Sequence, residues 1–304
     1  MLKRYDLRDG GIVSTENVDC PILVFVNPDK EEVGYVTTTY QLDEHTVNSA
    51  LDPDEQSRIE FEDNHFALIF KRPRNYSSEE QFLFKVSSIG VFLFKDKMIV
   101  LISEDVPLFD GRQAYKVTSL HDVLLKIFYR SIAHFIQHLR VISMISDEIE
   151  HKVNESMENK YLLHMFTLEK SLVYYLNAVN SNAMVIEKLK NASSRIGFTP
   201  ENIELVDDIL IENTQCLKQT EIYTNIISSM MDARASIVNN NLGTLMKTLN
   251  LLTIGIMVPT FVVSAFSMNV AIPFKDNPFA FIIILGLSAT ALVSFLLFFK
   301  WKKW

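Results

Sequence analysis

The sequence predicts an α/β (α+β) sheet domain followed by long helices, a coiled stalk helix and two transmembrane helices. Three observations lead there. Short apolar runs between turn residues fill the first third of the 304 residues, helical periodicity takes over after Ser119, and two long uncharged stretches stand near the C-terminal end. The expected organisation is a sheet domain over residues 1–118, a helical hairpin over 119–199 and a stalk helix over 200–245. A first span over 246–268, an external loop over 269–278, a second span over 279–299 and a basic tail over 300–304 complete it.

In the first part, residues 21–26, 66–70 and 82–86 are β-branched or aromatic runs bounded by turn residues and read as strands. Residues 89–94 and 98–102 flank Lys95-Asp96-Lys97, the spacing of an antiparallel hairpin. Residues 43–51 read as a short helix between strands. Strands mixed with helices in this way indicate a layered sheet domain.

Ser119 with Asp122 three residues on is an N-cap pattern, and the chain then stays helical. One helix is expected to about residue 154 and another over about 155–191, paired as a hairpin. The run Ser193-Ser194-Arg195-Ile196-Gly197-Phe198-Thr199-Pro200 supplies a break, with Thr199 capping the next helix and Pro200 in its first turn. No further proline occurs before Pro259, so a single helix of about 65 residues and about 100 Å is expected at 1.5 Å per residue. Val206, Ile209, Asn213, Cys216, Thr220, Tyr223, Ile227, Met230, Arg234, Ile237 and Asn241 recur on it at alternating steps of three and four. That is the register of a coiled-coil stalk, and its polar members suit a wide, partly wet bundle. A helix packed on its own domain has the same spacing, but direct continuation into the membrane favours the stalk.

Residues 248–274 and 277–299 carry no charge, and about 20 apolar residues suffice to cross a hydrocarbon core of about 30 Å. Lys247 precedes the first span, Lys300, Lys302 and Lys303 follow the second, and the loop between carries only Lys275. Both ends are therefore expected in the cytoplasm, with the protein in the cell (inner) membrane. Trp301 and Trp304 suit an anchor at the lipid interface. One stripe of the first span is polar or soft: Met246, Asn250, Thr253, Met257, Thr260, Ser264 and Ser267. Close helix packing explains small hydroxylated residues, but an amide such as Asn250 needs water or a partner, which favours a water-lined pore made by several copies of the helix. The second span is uniformly greasy and is expected to face lipid.

Composition narrows the function classes. A net charge of -8 with scattered Lys and Arg argues against nucleic acid as the main partner and makes cations the better expectation. The two cysteines, Cys20 and Cys216, are too few and too far apart for a disulfide framework or thiolate site. The charged N-terminus lacks the apolar core of a secretory signal, so residues 1 to about 245 are expected to remain cytoplasmic. His134 and His138 stand four apart on a helix, but without a third ligand a solvated helix face is the simpler reading. No Gly-rich phosphate loop, nucleophile elbow or HExxH is present, so nothing supports an enzyme.

Phe266-Ser267-Met268-Asn269 at the outer end of the first span resembles the aromatic-Gly-Met-Asn signature of the CorA family of magnesium channels. Met246-Lys247-Thr248-Leu249 and Met257-Val258-Pro259-Thr260-Phe261 fall at family-like positions without a gap, and the sheet domain, helical pair, long helix and two-span hairpin follow the family's order. The resemblance implies a divalent-cation channel, most directly for Mg2+ uptake, built as a homopentameric funnel around a central pore. The pore lining it implies is Gly243, Met246, Leu249, Thr253, Met257 and Thr260, with Ser267, Met268 and Asn269 as selectivity filter. Helical periodicity prefers Asn250 where the resemblance prefers Leu249. Its partners would be other copies of itself, membrane lipid and the cation, with no organic cofactor.

Magnesium gives up its water reluctantly, so a ring of neutral asparagine amides can hold the hydrated ion without stripping it. Asp276 would add an acidic ring at the external mouth. The resemblance also implies inhibitory Mg2+ held between neighbouring cytoplasmic domains. Asp208 matches the family's stalk aspartate, Ser49 stands where its acidic partner is expected, and Asp52 and Asp54 lie close enough in sequence to substitute. Ser267 replaces the family's glycine, whose backbone angles serine reaches only at a cost, so the filter turn is expected to differ. Zinc, as in the ZntB branch, ranks second because no histidine pair or cysteine cluster lies in the pore stripe. A membrane-tethered sensor or scaffold that conducts nothing is the rival from another class.

Overall fold

A computed structural model describes the chain apart from residues 77–81, 110–115, 156–158, 270–272, 274–276 and 303–304. Two compact units result, Met1–Met231 and Asp232–Trp304.

The first unit is built on a sheet of seven strands. These are β1 (Leu2–Arg8), β2 (Gly11–Ser14), β3 (Ile22–Val26), β4 (Arg58–Phe61), β5 (His65–Pro73), β6 (Val86–Phe94) and β7 (Met98–Ile102), in the order β2-β1-β3-β7-β6-β5-β4. β3 and β7 run parallel and the other neighbours antiparallel. Both are buried at every residue, as expected of a parallel pair covered on both faces. α1 (Lys30–Tyr40) and α2 (Glu44–Leu51) cover one face through Val36, Val47 and Ala50, which pack on Leu23, Phe25, Ile69 and Leu101. The approach of α2 to β6 is close enough to require glycine: a Cβ on Gly90 would lie 2.3 Å from the Cβ of Ala50.

The other face is covered by α3 (Leu120–Glu155) and α4 (Asn159–Asn191), whose Phe128, Phe135, Leu168 and Leu172 close the larger core over Ile22, Val24, Leu68 and Phe70. The start of α3 is fixed reciprocally, since Asp122 N–H donates to Ser119 Oγ (3.2 Å) and Ser119 N–H to Asp122 Oδ2 (3.0 Å). After the short α5 (Ser193–Ile196), Gly197 takes a left-handed angle and Thr199 caps α6 (Pro200–Phe266) through Asn202 N–H at 3.3 Å.

Three readings of the sequence are corrected. Residues 82–86, expected as a strand of their own, are not one: 82–85 lie outside any strand and only Val86 belongs to β6. Phe82 has a positive φ of 70°, and Phe84 N–H donates to Ser171 Oγ on α4 (2.9 Å) rather than to a neighbouring strand, so β6 begins at Val86. His134 and His138 do not lie on a solvated face: His138 is 9% exposed, its Nδ1 lies 2.6 Å from Tyr175 Oη, and burial drives the two rings down to about 3 and about 4. The register from Val206 to Ile227 packs on its own domain. Val206, Ile209, Asn213, Cys216, Thr220 and Ile227 are all buried, and Asn213 Nδ2 donates to Val179 O of α4 at 3.0 Å.

In the second unit, the remainder of α6 is joined by α7 (Ala280–Trp301).

Candidate ion pathway

α6 and α7 each contain a stretch long and apolar enough to cross a membrane. Along the membrane part of α6, the half-buried residues are Leu251, Gly255, Val258, Pro259, Val262 and Phe266, a stripe repeating every three to four residues. This is the face toward α7, because buried Ser288 donates its Oγ to Pro259 O at 3.4 Å. At 3.6 residues per turn, Gly243, Met246, Leu249, Asn250, Thr253, Met257 and Thr260 fall on the opposite side, and all are exposed. Leu249 and Asn250 both open to that side.

The hydroxyls of this open stripe have a defined polarity. Thr253 Oγ1 donates to Leu249 O (2.9 Å) and Thr260 Oγ1 to Ile256 O (2.7 Å). A hydroxyl carries one proton and two lone pairs, so a threonine whose proton is committed to its own helix turns acceptor oxygen outward. That is the orientation a cation or its hydration shell needs.

At the end of α6 the helix closes with Ser267 N–H on Ser264 O (3.1 Å), and Ser267 Oγ donates to the same carbonyl (2.8 Å). Ser267 is not among the residues with positive φ, so serine carries no left-handed strain here and the physical ground for expecting an altered turn falls away. Ser267, Met268 and Asn269 are exposed. Asp276 lies outside the described residues.

The acidic residues sit in two places within the first unit. Asp52 and Asp54 are exposed on the turn after α2, where Asp54 N–H donates to Asp52 Oδ1 (2.9 Å); Ser49, buried, donates to Glu55 Oε2 (3.2 Å). Nearby Lys71 is buried and donates its Nζ to Pro53 O (2.7 Å) and Ser88 Oγ (2.8 Å). Burial pulls it down to about 8 against the pull of Asp52, Asp54 and Glu55. Asp208 lines a separate cleft with Lys126, Tyr129 and Glu212. Glu212, one turn on from Asp208, was missed in the sequence, although an i, i+4 acid pair was there to be read. Among the described residues no three His, Cys, Asp or Glu side chains converge on one point, so a single chain does not bring Asp208 together with Asp52 and Asp54.

A sheet domain, a long helix ending in an oxygen-lined apolar stretch and a second apolar helix beside it define a two-span membrane protein. Residues 22–303 match the CorA-like Mg2+ transporter protein family, and the chain belongs to that family: it is a divalent-cation transporter, not an enzyme. It is 24% identical over 300 residues to the cobalt/magnesium transport protein CorA of Methanocaldococcus jannaschii, covering 94% of this chain and 90% of that one. The complete structure of the CorA magnesium transporter from Methanocaldococcus jannaschii superposes with a TM-score of 0.84 at 19% identity, over 99% of this chain and 97% of that chain. The ZntB cytoplasmic domain from Vibrio parahaemolyticus gives 0.60 at 14% identity, over 78% of this chain and 98% of that one. At these identities the structural likenesses establish the fold.

Proposed function

We propose that this transporter carries Mg2+ into the cell as a homopentamer whose lumen is lined by the open stripe of α6. Gly243, Met246, Leu249, Asn250, Thr253, Met257 and Thr260 line it, and Ser267, Met268 and Asn269 form the filter. The observation that carries this reading is that the face of α6 away from α7 is uncovered and bears outward acceptor oxygens but no charge. Neutral oxygens hold a hydrated divalent ion weakly enough to release it. A bilayer leaves an uncovered amide such as Asn250 unsatisfied unless water or another copy meets it. The relatives named for magnesium support the choice of ion.

Both termini lie in the cytoplasm on this reading, as the lysines around the spans require. Gating follows from Mg2+ bound between subunits by Asp208 of one copy and Asp52 or Asp54 of the next. All three carboxylates are exposed, so a second copy has access to them. Zinc is the second reading, and the fold shared with the ZntB domain favours it. The stripe offers oxygen and thioether rather than imidazole or thiolate, which ranks zinc lower.

Expression in a bacterium lacking its own magnesium transporters tests the proposal. Magnesium-dependent growth and uptake restored by the wild type and lost in Asn269→Ala are expected. Membrane-inserted protein that restores zinc but not magnesium uptake transfers the assignment to zinc.

A further inference from the structure

A cavity of about 460 Å³ opens in the first unit beside β5 and α3. Arg72, Arg130, Ser131, His134 and Gln137 supply its polar wall, and Val106, Leu108 and Ile127 its apolar one. Arg72 is 6% exposed, yet among the described residues its guanidinium makes no hydrogen bond or ion pair. Glu104, the acid whose charge acts most on it, is held by Arg74. Burial pulls Arg72 down to about 10, and the like charge of Arg130 adds to that. A buried cation without a partner is strongly unfavourable, and no transport step described above uses it.

The wall around it has the makeup of a ligand site. Cavities for small organic molecules run to about 300–1,000 Å³ and combine apolar lining with a few convergent polar groups. Arginine's planar fork matches the oxygens of a carboxylate or phosphate. His134 and Gln137 add neutral donors, whereas the Ser131 hydroxyl gives its proton to Ile127 O (3.0 Å); His134 is held uncharged by burial and by His138, Arg72 and Arg130. The Arg72 fork with the His134 and Gln137 donors suits an oxyanion, and the second positive charge of Arg130 beside it favours the dianion of a phosphate monoester over a singly charged carboxylate.

We propose that this cavity binds a small organic phosphate, its phosphoryl group on Arg72 beside Arg130 and its carbon skeleton against Val106, Leu108 and Ile127. The site is separate from the ion pathway and would let the transporter sense a phosphorylated metabolite.

The test uses the full-length protein in detergent without added lipid, titrated with phenyl phosphate, inorganic phosphate, benzoate or sodium chloride at matched ionic strength. Melting temperature and 31P line broadening are followed. The expected result is a saturable rise in melting temperature with phenyl phosphate, smaller with inorganic phosphate and absent with chloride. Arg72→Met should weaken the apparent affinity about tenfold or more, the loss of a charge-assisted bond. Gln137→Trp, which fills the exposed mouth without entering the core, should abolish the response and decides the matter if Arg72→Met does not fold. No saturable response in the wild type, a response that survives Gln137→Trp, or one matched by benzoate or chloride overturns the proposal.

Discussion

Replacing Asn182 by alanine should detach α4 from the sheet at one identifiable point. The side chain is fully buried; its Oδ1 accepts from Lys71 N–H (2.8 Å) and Ser57 Oγ (2.9 Å), and its Nδ2 donates to Lys71 O (2.9 Å). β4 pairs with β5 only as far as Arg58 opposite Ile69, so the peptide of Lys71 lies beyond the last residue of its neighbour. The amide of Asn182 takes the place of the missing strand residue. Alanine strands three buried polar groups, each costing about 1–3 kcal/mol, and partial entry of water brings the expected loss to about 4 kcal/mol. For a unit of this size that corresponds to about 10 °C in melting temperature. Thermal melts of the full-length protein followed by circular dichroism measure it, and hydrogen exchange at Lys71 reports the local opening. A loss below about 1 kcal/mol with unchanged exchange along β5 would show that the amide is not the strand's edge partner.

Two further outcomes follow from the same packing. Gly90→Ala places a methyl group 2.3 Å from Ala50 Cβ, so α2 must shift; a loss of about 1–3 kcal/mol is expected, and Ala50→Gly should recover part of it in a double-mutant cycle. His138 is held at about 4 in the folded chain by burial and by Arg72, against 6.5 unfolded. As pH falls below 6.5 the unfolded chain takes up a proton that the folded chain refuses, so stability declines down to about pH 4, by at most about 3 kcal/mol, and His134 adds in the same direction. His138→Gln, which keeps a polar partner for Tyr175, should shorten that acid limb in urea titrations; an unchanged limb would place its origin elsewhere.

Much of the architecture was legible because each cue had one physical meaning. The uncharged runs at the end permit few structures besides membrane helices, and Ser119, Thr199 and Lys95-Asp96-Lys97 mark boundaries that the hydrogen bonds and pairing reproduce. Two elements passed unread although their signals were present. Asp9-Gly10, both at positive φ, is the tight turn joining β1 to β2, and Asp29 with Glu32 forms the capping box of α1. Both lie where apolar alternation is diluted by charge, so a search led by hydrophobicity passes over them. Residues 82–86 failed for the opposite reason. They are aromatic enough for a strand, but Phe84 is buried by packing on Tyr76 and Tyr175 while its peptide bonds to a helix. Among the proposed site residues, the open stripe of α6 was readable as periodicity; the cavity around Arg72 was not, because its walls come from segments far apart in sequence.

The two stretches of α6 show why periodicity needs hydrogen-bond accounting beside it. A coiled-coil seam and a helix laid on its own domain both require an apolar stripe returning every three to four residues, so spacing alone does not separate them. Polar members of the stripe do. Asn213 Nδ2 donates to Val179 O, and Thr220 Oγ1 donates to Cys216 O; both residues lie fully buried, with Asn213 Oδ1 enclosed but unpaired, so this stretch finds its cover inside one chain. Beyond Met246 the open stripe differs. Asn250, Thr253 and Thr260 are uncovered, and each threonine proton is already committed to the helix backbone. Lipid offers no hydrogen bond to the amide of Asn250 or to the outward oxygens, whereas a water-filled lumen between copies supplies both. That difference in cover, polar groups enclosed by the chain's own domain in one stretch and left open in the other, rather than the heptad spacing, supports assigning self-association to the membrane end of the helix.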